Sequence, residues 1–252
     1  MNKKIQFVID YLNKILEKNS PEYVGNNFNK FFSSESIDNY LLSFKENKTA
    51  RQIRASLDIL RGKIFEEILK ILLNKCFEKD KSYFHIKVSH YKDLPKETKT
   101  EVKKIRLFRK NFEDFYKKPD IDLVVYSEKF KDRFLFLSVK GTSRERIGQF
   151  LSNIFIFDPV VLSSKYKNLY KIGGDSIPKY KMAFVCFDMA KQKDFSYIEK
   201  KELKHSQKQI EVLLVDDDPN IGYGVFVLNN LKKLHKVGNF SELVGKIKSF
   251  FT

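Results

Sequence analysis

The chain has 252 residues and a mass of 29.8 kDa, enough for one large domain or a medium domain with an appendage. With 42% apolar and 14% aromatic residues it can build a sizeable core, which excludes disorder through most of its length. A net charge of +16 and a pI near 9.5 draw polyanions toward it, although a lysine-rich AT-biased genome produces the same composition.

Purely apolar runs such as 134–137 and 154–157 are only a few residues long, too short to span a membrane. Asp10 interrupts the apolar core that a signal peptide needs. Two cysteines, Cys76 and Cys186, are too few for a structural zinc site or a disulfide framework. A soluble, cytoplasmic protein is expected.

In chain order, Ile5, Val8, Ile9, Leu12, Ile15 and Leu16 predict one helical face, broken at Ser20-Pro21. A mixed stretch follows to about Lys48, and residues 1–48 read as a small helical N-terminal part ahead of a larger domain, 49–252. From Thr49 to Phe77 apolar residues recur every three or four positions, a long helix in which Gly62 would mark a close packing approach. Segments 83–88, 121–126, 134–139, 182–187, 212–215 and 224–228 are rich in β-branched and aromatic residues and predict strands. Residues 145–157 are helix-compatible behind Thr142-Ser143, and a last amphipathic helix starts near Ser241. The order helix, strand, strand, strand, helix, strand predicts an α/β fold, a mixed sheet flanked by helices.

The chemistry concentrates between Pro119 and Arg146. Pro119-Asp120-Ile121-Asp122 leads into one apolar strand, a short polar loop follows, and the next strand ends Ser138-Val139-Lys140. Such a pair should form a hairpin. Asp120 and Asp122 share one side of their strand, and Ser138 and Lys140 share one side of theirs. One or two carboxylates and an ammonium group then meet at a sheet edge. Phosphodiester cleavage uses such a set, with carboxylates for Mg²⁺, the Val139 carbonyl as a further hard oxygen, and a lysine that orients water and offsets transition-state charge. A strand ending in an acidic turn beside a solvated lysine has the same spacing. Next come Arg144, Glu145 and Arg146, although the chain has only eight arginines. Arginine contacts guanine bidentately and glutamate accepts from the cytosine amine, so the triplet suits neighbouring C and G bases.

These residues resemble the PD-(D/E)xK nucleases, and within them the type II restriction endonucleases that read CCGG or CCNGG. The resemblance spans roughly residues 50–190 and implies a restriction-endonuclease-like core. It makes Asp120 the metal-binding acid, with Asp122 a close rival. Ser138 stands in the place of the motif's acid, and Lys140 is the catalytic lysine. Arg144, Glu145 and Arg146 become base readers. In the CC/GG readers a replacement glutamate follows on the next helix, where this chain has Gln149, Ser152 and Asn153. The long first helix offers Glu67 instead, with Glu66 as the fallback. The resemblance further implies Mg²⁺, double-stranded DNA, a homodimer and a partner DNA methyltransferase that masks host sites. A repair or recombination nuclease without sequence preference, and a non-catalytic basic DNA-binding module, are the alternatives.

Lys103, Lys104, Arg106, Arg109 and Lys110 form a basic patch that would hold the phosphate backbone or be a solvated helix face. His85 and His90, five apart and on or just after a predicted strand, read as structural or solvated, as do His205 and His235.

Overall fold

The computed structural model describes residues 3–32, 50–105, 107–109, 112–117, 121–140, 170–172, 178–186, 224–227 and 238–252. Three helices open the chain, α1 (Lys3–Leu16), α2 (Pro21–Asn26) and α3 (Phe28–Phe31). Ile5, Val8, Leu12 and Ile15 form the buried stripe of α1, as their spacing requires. Helix α1 ends at Leu16, and Ser20 starts the next helix. Its Oγ accepts from the Tyr23 N–H at 3.1 Å, and Pro21 takes the first helical position, where its missing N–H is not needed.

The long helix α4 (Ala50–Glu78) is followed by β1 (Ile86–His90), a short 3₁₀ turn, and α5 (Lys96–Lys104). Next come β2 (Leu107–Arg109), β3 (Phe112–Lys117), β4 (Leu123–Ser127), β5 (Arg133–Lys140), β6 (Tyr170–Ile172), β7 (Lys179–Cys186), β8 (Gly224–Val227) and β9 (Gly238–Asn239). The closing helix α6 (Phe240–Phe250) has a reciprocal cap. Asn239 Oδ1 accepts from Glu242 N–H at 3.0 Å, and Glu242 Oε2 from Asn239 N–H at 2.7 Å.

The main sheet has six strands in the order β1-β4-β5-β7-β8-β9. The β1/β4 and β4/β5 pairs are antiparallel, and β5/β7, β7/β8 and β8/β9 are parallel. This is the expected mixed sheet. The expected hairpin is β4–β5, with Leu123 opposite Leu137 and Tyr126 opposite Phe134. A smaller sheet has the order β3-β2-β6. β1 lies at the edge of the main sheet, and the Asn74 amide of α4 caps it as a neighbouring strand would. Its Nδ2 donates to Val88 O and its Oδ1 accepts from Val88 N–H, both at 2.9 Å.

Alternation sorts the strands. Ile86 and Val88, Leu123 and Val125, and Leu135, Leu137 and Val139 share one core with Ile64, Phe65, Ile68, Leu69, Leu72 and Leu73 of α4. That core also takes in residues of α1, α2 and α6, including Leu12, Val24, Phe240 and Ile247. Phe134, Phe136 and Ser138 alternate with the β5 core residues, and all three are buried. Among the described residues no helix is long and apolar enough to cross a membrane.

Four details differ from the sequence reading. Helix α5 and strands β2 and β3 lie between β1 and β4, so the expected run of helix and three strands is interrupted. A Cβ on Gly62 would meet nothing within 4 Å, and the close approach lies instead at Gly25, where a Cβ would collide with the Phe240 ring. The basic patch is not one helix face. Lys103 and Lys104 end α5, Leu107–Arg109 is strand β2 of the small sheet, and Arg106 and Lys110 lie outside the described residues. Strand β1 also starts three residues later than the β-rich segment and runs on to His90, because residues 81–85 turn back from α4. The expected helix 145–157 and strand 212–215 lie outside the described residues.

Candidate active site

Asp122 immediately precedes β4, and Lys140 is the last residue of β5. The antiparallel register sets Leu123 against Leu137, and the Asp122 N–H continues the ladder by donating to Leu137 O at 3.0 Å. The side chains of Asp122 and Lys140 are thereby brought to one end of the hairpin. Asp122 Oδ2 accepts from Lys140 Nζ at 2.8 Å and from the Val139 N–H at 2.7 Å. Both side chains are largely enclosed, Lys140 at 13% and Asp122 at 17% exposure, so the pair is screened far less than a surface ion pair. Ser138, between them in sequence, is 2% exposed. Asp120, Arg144, Glu145 and Arg146 lie outside the described residues.

Helix α4 presents its adjacent glutamates to this end of the sheet in different ways. The Glu67 carboxylate accepts from His90 Nε2 at 2.8 Å and is paired with Lys70 one turn on. Burial works against its ionisation, but the hydrogen bonds from His90 and Lys70 outweigh it and bring its pKa down to about 2. Glu66 has the opposite electrostatics. Burial, then the negative charge of Asp122, push its pKa up to about 6, against the weaker pull of His90 and Lys140. Glu66 therefore shares the electrostatic neighbourhood of the Asp122–Lys140 pair. A carboxyl so displaced toward neutral pH, beside a specific charge partner, marks a candidate functional site.

His90 is the residue the sequence reading set aside. Its Nε2 meets Glu67 Oε1 at 2.8 Å and its Nδ1 lies 3.5 Å from Glu66 Oε2, with the ring only 13% exposed. A signal for it existed. Ile86, Val88 and His90 alternate along β1, and the first two belong to the core under α4. A histidine at the next inward position needs a polar partner, and the glutamates of α4 supply it. The predicted strand ended at Val88, so His90 fell outside the pattern.

Asp122, Glu66 and the backbone carbonyl of Val139 are hard oxygen donors with no cysteine among them, the set that suits Mg²⁺ or Mn²⁺. Among the described residues no group of three or more His, Cys, Asp or Glu is arranged to hold a metal ion. One or two carboxylates are what Mg²⁺ typically takes from a protein, the rest of its shell being water and substrate phosphate. The repulsion from Asp122 that adds to burial in raising Glu66 is what a divalent cation relieves.

No family model matches the chain. No curated protein matches it either. Among solved structures it is similar to the restriction endonuclease BsaWI, described as pre-specific and solved as a DNA complex, with 12% identity, a TM-score of 0.41, and 99% of this chain and 92% of that chain covered. That likeness is too low to carry function from one chain to the other.

Proposed function

We propose that this protein is a Mg²⁺-dependent type II restriction endonuclease that hydrolyses phosphodiester bonds of double-stranded DNA at a short C/G-containing site. The observation that carries the reading is the 2.8 Å contact between Asp122 Oδ2 and Lys140 Nζ at the open end of the β4–β5 hairpin, within the field of the half-buried Glu66.

In this reading Asp122 and Glu66 hold the cation, with Asp120 and the Val139 carbonyl as further ligands. Glu66 is preferred over Glu67 because Glu67 is committed to His90 and Lys70. When bound, the ion polarises a phosphoryl oxygen and lowers the pKa of an attacking water. Lys140 is held in place by Asp122 and directs its ammonium at the charge that develops on the phosphorus oxygens. Ser138, buried beside it, fills the position of the motif's acid without adding charge. Arg144, Glu145 and Arg146 follow Lys140 within six residues and are assigned to base reading. Lys103, Lys104, Arg106 and Arg109 are assigned to the DNA backbone, and the +16 charge favours the encounter. A symmetric site calls for a homodimer with one active site per strand, and the host calls for a cognate methyltransferase.

The test is to incubate the purified chain with phage DNA and Mg²⁺ and to sequence the fragment ends. A common short motif at the ends is expected, and Lys140→Ala should slow cutting by roughly 10³-fold or more while DNA binding survives. Ends without a common motif would leave a non-specific nuclease. Undiminished cutting by Lys140→Ala would remove the catalytic assignment.

A further inference from the structure

His90 touches two glutamates that are neighbours on one helix, Glu67 at hydrogen-bond distance and Glu66 more loosely. Adjacent helical residues point about 100° apart, so no single flat group meets both unless its edge enters between them. The imidazole does this from β1, because the inward alternation of Ile86, Val88 and His90 aims it at α4. Asn74, two helical turns after Glu67, ties the same strand to the same helix through the Val88 backbone, so the ring has little room to drift. One ring nitrogen has a short hydrogen bond to Glu67, and the other faces Glu66 more loosely at 3.5 Å.

We propose that His90 is a positioning residue that gives the two glutamates different work: its Nε2 anchors Glu67 to the sheet, and its Nδ1 side keeps the Glu66 carboxylate turned toward Asp122 and Lys140 to take the divalent cation. This rests on the metal-dependent reading above. Groups that orient metal ligands matter because a long carboxylate side chain, left to itself, distributes over several rotamers and swings away from like charge. Here the charge that repels Glu66 is Asp122. With hydrogen on both ring nitrogens, His90 donates to both carboxylates and holds Glu66 against that repulsion, while Lys70 completes the anchor on Glu67.

Two conservative variants of the full chain separate the two nitrogens. In His90→Asn the side-chain amide N lies near the position of Nδ1, and in His90→Gln it lies near that of Nε2. Mn²⁺ alone is titrated and followed by electron paramagnetic resonance, and thermal melting is measured on the same samples. His90→Gln is expected to melt close to wild type and to bind Mn²⁺ roughly tenfold more weakly. His90→Asn is expected to show the reverse, a lowered melting temperature with Mn²⁺ affinity within about threefold of wild type. If both variants keep wild-type Mn²⁺ affinity, or both lose it in step with melting temperature, His90 has no positioning role. Asp122→Ala is the control for the reading underneath. If wild type and Asp122→Ala bind Mn²⁺ equally, or neither binds, the metal site itself is wrong and His90's role falls with it.

Discussion

The two ends of the β4–β5 hairpin use the same pair of strands for different purposes. At the turn end, Ser127 Oγ lies 2.9 Å from His85 Nδ1 and accepts from the N–H groups of Lys129 and Phe130 at 3.0 and 2.9 Å. The Phe130 ring packs against His85, and the Arg133 guanidinium lies 4.6 Å from its centre while donating to Phe250 O. Every polar group named there has a partner that suits it, and Ser127 is 3% exposed. At the open end, Asp122 pairs with Lys140 and His90 with Glu66 and Glu67, and Glu66 is displaced toward neutral pH by burial and by Asp122. One end is arranged for stability and the other keeps an unfavourable charge in place. Unfavourable electrostatics that persist in a fold are the mark of a site with work to do.

Substitutions at the two ends should therefore separate stability from activity. The largest effect is expected from Glu67→Gln. The Glu67 carboxyl ionises near pH 2 in the fold, against 4.5 for the ordinary group. Its charged form stabilises the native state above about pH 4.5, and that contribution is lost as pH falls toward 2. At neutral pH the variant should be less stable by on the order of 3 kcal/mol in urea unfolding, with the difference shrinking as the solution is acidified. A difference independent of pH would break the anchor assigned to His90 and Lys70.

Ser127→Ala comes next. It removes the acceptor for two backbone N–H groups and the partner of His85, and should cost ~2 kcal/mol. DNA cleavage at saturating Mg²⁺ should be unchanged. A fall in cleavage at temperatures where the variant remains folded would show that the two ends are not independent.

Glu66→Gln should give the smallest change in stability, and of opposite sign. The group's pKa is raised from 4.5 to about 6. Its contribution is therefore fully favourable below about pH 4.5 and is lost as pH rises through 6. The variant should match wild type near pH 4, exceed it by ~1–2 kcal/mol near pH 8, and lose cleavage. A variant less stable than wild type near pH 8 would contradict the burial and repulsion assigned to Glu66.

Part of this site was legible in the sequence. The strands around Asp122 and Lys140 were readable because alternation is local, and two apolar segments joined by the short turn 127–132 have few ways to pair. That register sets Asp122 opposite Ser138 and Lys140 two residues further on the same face, a diagonal pair that the long lysine side chain closes. The His90 contact was missed for a boundary reason, since a strand read as ending at Val88 leaves His90 without a face. Gly62 was misread because a glycine inside a helix has the same appearance in sequence whether or not anything packs against it. The difference between Glu66 and Glu67 had no local signal, for both are exposed-type residues flanking the apolar stripe of α4.

By itself the sequence determined the charge of the molecule, the amphipathic helices and the hairpin with an acid and a lysine at its open end, because each depends on residues close in the chain. Only the tertiary structure decided which acids join that pair. Residues 122 and 140 pair because β4 pairs with β5, and residues 66 and 67 reach 90 because α4 lies against β1, tied to it by Asn74. The rotation of a helix over a sheet is fixed by packing between elements far apart in sequence, and no periodicity within either element encodes it.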